Sequence, residues 1–456
     1  MDNSQQLNVP GSFRDPSGFL FFNNGVLYRQ INLAGKDDYD HFMNSGLYDL
    51  LVKNKWLIRH EESGSRDGAY KIIKPELINF ISYPYEWCFS QLKDAALLTL
   101  EIQRKALEFG MSLRDASAYN IQFKDGHPIL IDTLSFEKYE EGKSWVAYKQ
   151  FCQHFLAPLA LMAYKDVGLS QLMRIYIDGI PLDLASSLLP LITRFKFSLL
   201  SHIHLHAKMQ NYFANKQIVS RKNTISKHGL LALINSLESS IKAMKWKPKG
   251  TEWADYYKFT NYSDSALSEK EKIVDDMIAE AKPKTVWDMG ANTGLFSRLA
   301  SRRGITTMSF DIDPAAVEKN YREARSKKEK NILPLLLDLT NPSPAMGWSN
   351  EERTSLISRG PADLAMALAL VHHLAISNNL PLSHVADFFS KICANLIIEF
   401  IPKSDSRVQK LLKTREDIFP DYDQNNFEKE FSRLFEIKNK QNVSDSKRVL
   451  YSMIKK

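Results

Sequence analysis

Cysteine is scarce in this chain, and long apolar runs are absent. Only three of 456 residues are cysteine (Cys88, Cys152, Cys393), far apart and without metal-ligand spacing. That argues against a disulfide framework or a thiolate zinc site and suits a reducing cytoplasm. No uninterrupted apolar stretch approaches the ~20 residues of a spanning helix. The longest, 155–163, is short and contains Pro158. The opening MDNSQQLNVPG has no apolar core of a secretory leader, so none is expected. There is no internal repeat, no low-complexity tract and no G-x-G-x-x-G.

What is present reads as a globular chain of two or three domains. It is 44% hydrophobic, 25% charged and 11% aromatic, with a formal net charge of +7 and a pI near 8.9. An excess this mild over this length permits an anionic partner without requiring one. Residues 1–16 are polar and predicted to be loose. A module over 17–244 should follow, then a linker at 245–252 (KWKPKGTE) and a second domain over 253–456.

The first module opens on GFLFF-NNG-VLYRQI, a hairpin with an Asn-Gly turn. The apolar spacing predicts a helix over 36–55, strands near 57–60, 70–73 and 78–82, and a helix over 89–109. Helices should dominate 145–244, with a loop at 178–181. His202, His204 and His206 alternate without acidic or cysteine support, so no metal site is expected.

The most informative stretch is 285–313, TVWDMGANTGLFSRLASRRGITTMSFDID. A strand ends in Asp288, and a glycine turn, Gly290-Ala-Asn-Thr-Gly294, leads into a helix near Leu295. A second strand ends in Asp311, 21 residues after Gly290. Strand, glycine turn, helix and acidic strand end form half of a nucleotide-binding α/β unit. A dinucleotide fold places a pyrophosphate on the helix N-terminus. Asp288 beside the turn would repel phosphate and attract a cation. Strand-like runs at 332–337, 363–370, 396–400, 435–438 and 449–453 continue the pattern and imply a largely parallel sheet.

These residues resemble motifs I and II of the class I S-adenosylmethionine-dependent methyltransferases. The resemblance covers about 253–456 and implies a seven-stranded Rossmann-like sheet whose last strand is antiparallel. It implies that Asp288, Gly290, Ala291 and Gly294 line the methionine part of the cofactor. Asp311 would hold the ribose hydroxyls, with Asp313 as a rival that also reads as a helix cap before Pro314. Ile312 would pack on adenine, and Asp338 would approach its amino group. Asn292 stands where the family often has glycine.

After the fourth strand comes Leu370-Val371-His372-His373-Leu374. It lacks the [DNS]-P-P-[YF] of enzymes that methylate planar nitrogens. Either His372 or His373 could serve as base for a hydroxyl acceptor, or close the strand end structurally. Glu399, within the apolar run IIEFI, needs either a salt bridge or a substrate to account for it. Trp253, Tyr256, Tyr257 and Tyr262 could lid the cofactor or pack as a helix.

Upstream, SLRDASAYNIQFKDGHPILIDTLSF resembles the catalytic loop of protein-kinase-like and aminoglycoside-phosphotransferase-like folds. Asp115 would be the base, and Asn120 and Asp132 would hold Mg²⁺ with ATP. Leu113 replaces the usual histidine, and Thr133-Leu134 replace Phe-Gly. No glycine-rich phosphate loop is found; Arg29 falls near the place of the usual lysine, with Lys71 and Lys74 as alternatives. The resemblance implies an α+β, largely helical kinase-like domain, degenerate or active.

Across both halves the chain resembles the NoeA-like nodulation protein family, through stretches such as YPYEWCFSQLKDAALLTL and IIEFIPKSDSRVQKLL. That resemblance implies a methyltransferase acting on a saccharide, glycolipid or small metabolite, with nucleic acid disfavoured. A bifunctional kinase–methyltransferase modifying a glycan end is the alternative, and a scaffold of two degenerate enzyme folds a third.

Overall fold

The computed structural model describes residues 6–64, 67–208, 224–248, 264–413 and 416–456. It divides into two compact units. One comprises Met1–Lys247 with the excursion Met346–Arg353; the other comprises Pro248–Ala345 and Thr354–Lys456.

The N-terminal unit begins with an antiparallel sheet of β1 (Gln6–Asn8), β2 (Gly18–Asn23), β3 (Val26–Ile31), β4 (His60–Glu62) and β5 (Lys71–Pro75), in the order β1-β2-β3-β5-β4. The expected hairpin is β2–β3. Its turn residues Asn24 and Gly25 both have positive φ, 49° and 77°, as a tight turn matching the strand twist requires. Part of the segment expected to be loose is ordered, because Gln6–Asn8 pairs with β2. The helix expected over 36–55 is two helices, Lys36–Asn44 and Leu47–Lys53, broken where Gly46 turns left-handed at φ 87°. No strand forms at 78–82. There the Ser82 N–H bonds the Gln122 side chain (2.8 Å) instead of a ladder partner.

A long helix, Phe89–Glu108, follows with its apolar face buried; the Gln91 side chain caps its start by accepting the Cys88 N–H. Two small hairpin-like pairs come next. Strand β6 (Met111–Leu113) pairs with β9 (Phe136–Lys138), and β7 (Ile121–Lys124) pairs with β8 (His127–Leu130). Short helices fill much of the rest of this unit. The three histidines of 202–206 lie here. His202 bonds Tyr148 and Ser236, and His204 bonds Ser186 and Thr193. Among the described residues no cluster suits a metal ion.

The C-terminal unit is a seven-stranded sheet. Its strands are β10 (Thr285–Met289), β11 (Thr306–Asp311), β12 (Ile332–Leu336), β13 (Ala362–Ala367), β14 (Cys393–Phe400), β15 (Phe435–Asn442) and β16 (Val449–Lys455). Their order is β12-β11-β10-β13-β14-β16-β15. Pairings from β12 through β14 are parallel; β16 is antiparallel to both neighbours. This is the sheet implied by the resemblance. Strand order reverses between β10 and β13, and the crevice beyond the carboxyl ends at such a switch point is where open α/β sheets take ligands. The helix Asp264–Ala281 places Val274, Met277 and Ile278 in one core with Val286 of β10, Leu364 of β13 and Ile397 of β14.

Candidate functional site

A cavity of about 340 Å³ opens at the carboxyl ends of the parallel strands. Each strand of the switch point delivers its next residues to it. Strand β10 contributes Asp288 and then Gly290-Ala291-Asn292; β11 contributes Asp311 and Ile312. Asp338 follows β12, and Leu368–Leu370 follow β13.

The turn after β10 is built by local chemistry. Gly290 has φ 88°, a region open chiefly to glycine. The Gly290 and Ala291 N–H groups both donate to Phe310 O, at 2.9 and 2.8 Å. Asn292 also has positive φ, 50°. Asparagine tolerates that region better than most residues, which accounts for its presence where glycine is frequent. The Asn292 N–H donates to Asp311 Oδ2 at 2.7 Å, and the Asp313 N–H donates to Asp311 Oδ1 at 2.8 Å. Asp311 is thereby held rigidly with its carboxylate facing the cavity.

Gly294 does not line the cavity. A Cβ there would lie 2.6 Å from the Asn320 side chain, so this glycine serves close packing of the turn against the helix Pro314–Ser326. The helix predicted from Leu295 is short, Ser297–Ser301. Asp313 is that Pro314–Ser326 helix's N-cap, accepting the Ala315 N–H at 2.7 Å. The aromatic residues Trp253, Tyr256, Tyr257 and Tyr262 lie outside the described residues.

Two buried acids therefore share one apolar-walled site. Asp288 accepts the Ser297 hydroxyl at 2.6 Å. Burial, reinforced by the Asp311 charge, pushes its carboxyl up to about 7. Burial likewise pushes Asp311 up to about 6, against the backbone N–H donors of Asp313 and Asn292. The Lys270 ammonium opposes the rise at Asp288 without cancelling the effect of burial. Asp338 bonds the N–H and hydroxyl of Thr340 at the rim. Ile312 is an exposed apolar side chain on the wall.

The segment after β13 adds Leu370, His373, Leu374, Ser377 and Asn378 to the cavity wall. The structure separates the two histidines. His373 lines the cavity, and burial lowers its imidazole to about 4. His372 is buried and does not line the cavity. Its ring centroid lies 4.1 Å from that of His373, and burial lowers it well below the ordinary range. Of the two candidate histidines, the strand-end geometry brings His373 and not His372 to the cavity.

Lys270, which carried no motif, also lines the cavity. It answers the question posed by Glu399: Lys270 Nζ lies 2.7 Å from Glu399 Oε2, both fully buried. The same oxygen accepts the Ala369 N–H at 2.7 Å. No local signal in the helix distinguished Lys270 from Lys272, and the partner of Lys270 is 129 positions away.

In the N-terminal unit Asp115, Asn120 and Asp132 are drawn to one place. Asn120 Nδ2 lies 3.2 Å from Ser135 Oγ, whose hydroxyl donates to Asp132 Oδ2 at 2.7 Å. Asp115 is raised by burial, and Asp132 acts on it as a like charge. Arg29 Nη1 lies 2.7 Å from Asp132 Oδ1, which also accepts the Leu134 N–H at 3.0 Å. Asp132 is thus occupied by protein donors on both oxygens.

No family model matches the chain. Among solved structures it is similar to magnesium protoporphyrin IX methyltransferase from Synechocystis PCC 6803 with bound SAH, at 16% identity and a TM-score of 0.31, over 44% of this chain and 91% of that one. It is similar to the N-methyltransferase NodS from Bradyrhizobium japonicum WM9 at 11% identity and a TM-score of 0.30, over 42% of this chain and 98% of that one. Along its length it is 35% identical to nodulation protein NoeA of Rhizobium meliloti (strain 1021), over 97% of this chain and 95% of that one. An identity of this size across both halves assigns the chain: it belongs to the family of nodulation protein NoeA.

Proposed function

We propose that the C-terminal unit is an S-adenosylmethionine-dependent methyltransferase. The observation that carries this reading is the placement of Asp288 and Asp311 on one cavity, beside the left-handed Gly290 turn. The two acids suit a ligand with a cationic amino-acid end and a ribose. Asp311 would accept from the ribose hydroxyls, Asp288 and the Gly290–Ala291 turn would border the methionine end, and Ile312 and Asp338 would border adenine. Bound there, the cofactor supplies an electrophilic methyl group. The chain's task is to exclude water, aim an acceptor oxygen along the line of displacement and take its proton.

His373 is the cavity-lining imidazole placed to take that proton; it is neutral at assay pH, and burial makes it a weaker base than a free histidine. The leucines at 370 and 374 would seat an apolar face of the acceptor. With no [DNS]-P-P-[YF] at this strand end, a hydroxyl acceptor is favoured: a saccharide, glycolipid or small metabolite. The NoeA relative is a nodulation protein, and a role in that process is part of the proposal.

The N-terminal unit we read as a degenerate kinase-like module that binds substrate or partner. The gathering of Asp115, Asn120 and Asp132 supports a kinase-like ancestry, and the Arg29–Asp132 pair supports degeneracy. Active phosphotransfer with Mg²⁺ and ATP, giving a bifunctional enzyme, is the second reading.

The test of the main reading is calorimetric titration of the full chain with S-adenosylhomocysteine. Saturable binding that Asp288→Ala and Asp311→Ala each weaken supports it; no heat and no thermal shift would remove it.

A further inference from the structure

Apolar side chains are seldom left in water in a row, and one short segment of the N-terminal unit does this. Across Pro190–Phe197, Leu191 is 69% exposed, Ile192 62%, Phe195 84% and Phe197 81%. Scattered exposed leucines need no explanation, but four large apolar groups within seven residues form a patch.

The segment is held in this form rather than being a loose tail. It is a one-turn helix, Leu191–Phe195, followed by the short helix Phe197–Leu199. Thr193, in its middle, is fully buried. The Thr193 hydroxyl donates to Pro190 O at 2.6 Å and lies 3.0 Å from His204 Nε2. His204 Nδ1 is in turn 2.8 Å from the Ser186 hydroxyl. Leu199 is buried at the far end. The anchor points inward at both the centre and the end, and the side chains between are turned out.

The charges within the segment and its sequence neighbours are of one sign. Arg194 and Lys196 are exposed between the apolar residues. Lys196 Nζ sits 5.2 Å from the Tyr164 ring centroid. In sequence, no Asp or Glu occurs anywhere between Asp183 and Glu238, while Arg194, Lys196, Lys208, Lys216, Arg221, Lys222 and Lys227 fall in that interval. Phenylalanines alternating with basic residues, on a stretch far too short to span a bilayer, fit the boundary between headgroups and acyl chains. There the rings enter the apolar layer and the cations meet anionic headgroups, each Lys or Arg near such a surface adding to the attraction. A protein partner would also need acid to match this interval, but it would not require aromatic residues presented singly on a narrow turn.

We propose that Pro190–Phe197 is an interfacial anchor that docks the protein on an anionic lipid surface, with Leu191, Ile192, Phe195 and Phe197 inserted and Arg194 and Lys196 at the headgroups.

The experiment is sedimentation of the full chain with vesicles of phosphatidylcholine, and with vesicles of phosphatidylcholine mixed with phosphatidylglycerol. Binding should favour the anionic vesicles and fall as salt rises. Phe195→Ser with Phe197→Ser should reduce partitioning at least about tenfold, with an unchanged thermal midpoint. Arg194→Glu with Lys196→Glu should abolish the preference for phosphatidylglycerol; these exposed head groups make that pair the deciding arm if the serine pair lowers the midpoint. Equal binding to both vesicle types, or undiminished binding by both variants, overturns the proposal. So does sedimentation-velocity evidence that the wild type does not bind vesicles but self-associates through a contact the serine pair removes; the face would then seat a second copy of the chain.

Discussion

Lys270 Nζ and Glu399 Oε2 lie 2.7 Å apart in the core, and the Ala369 N–H donates to that same oxygen. Ala369 has φ 51°, an unfavourable value for alanine. The ion pair thus steadies the turn between β13 and the segment that carries Leu370 and His373. Removing one member leaves the other charge buried, which typically costs roughly 3–5 kcal/mol. Lys270→Met should fall near the lower end, because Arg448 Nη1 stands 3.9 Å from Glu399 Oε1. Lys270→Met with Glu399→Leu should recover part of the loss. Urea unfolding reads this; a single variant as stable as the wild type would refute it.

The second prediction separates Asp311 from Asp313. Asp311→Ala should weaken S-adenosylhomocysteine binding at least about tenfold, given that a hydrogen bond to a charged acceptor contributes about 1.5–3 kcal/mol. Asp313→Ala should leave affinity unchanged and cost about 1 kcal/mol of stability as a lost helix cap. The reverse pattern, read by calorimetry and thermal melting, would transfer the ribose contact to Asp313.

The third concerns pH. Asp288 near 7 and Asp311 near 6 hold their protons more tightly in the folded, ligand-free protein than in the unfolded chain. Their contribution to stability is therefore full below the ordinary carboxylate range and is lost as pH rises through about 6 to 7. A cationic ligand favours the ionised pair, so binding should release protons and affinity should climb across the same window. Titrations in buffers of different ionisation enthalpy would detect that release. Asp288→Asn should melt higher than the wild type at pH 8 without ligand, yet bind less well; a pH-independent affinity would contradict the coupling.

The fourth separates the histidines. His373→Ala should keep S-adenosylhomocysteine affinity and reduce methyl transfer by roughly 10²-fold or more, the usual contribution of a general base. His372→Ala should lower the melting temperature and leave transfer by the folded fraction intact. The assay is transfer of labelled methyl from S-adenosylmethionine into extract of a strain deleted for the gene. His373, at about 4, stays neutral across ordinary assay pH, so no activity limb should appear near 6.5. Equal transfer by both variants would mean that the site uses no histidine base.

The fifth concerns the N-terminal unit. Both Asp132 oxygens are engaged by Arg29, Leu134 N–H and Ser135. Mg²⁺ with ATP should therefore give no thermal shift in the wild type. A shift that Asp132→Asn abolishes would restore the phosphotransfer reading.

Much of the sheet and half of the cavity were legible in the sequence, because they rest on local rules. Strand periodicity, an Asn-Gly hairpin, a glycine turn after a strand and an acid at the next strand end act over a few residues. Asp288, Gly290, Ala291, Asp311, Ile312 and Asp338 could be placed on the wall from those rules and the family resemblance. The break at Gly46 and the unpaired 78–82 stretch escaped them. In the first, one glycine outweighs a continuous apolar face. In the second, a distant Gln122 side chain substitutes for a strand partner.

What the sequence by itself determined, then, is the order of elements and the acids at their ends, since backbone sterics and side-chain periodicity act between neighbours. Tertiary packing alone decided that Gly294 makes room for Asn320, that His373 reaches the cavity while His372 does not, that Lys270 finds Glu399, and that Arg29 claims Asp132. Each of these turns on which groups remote in sequence are buried together, and a buried charge or ring takes its role from the partner that desolvation forces upon it.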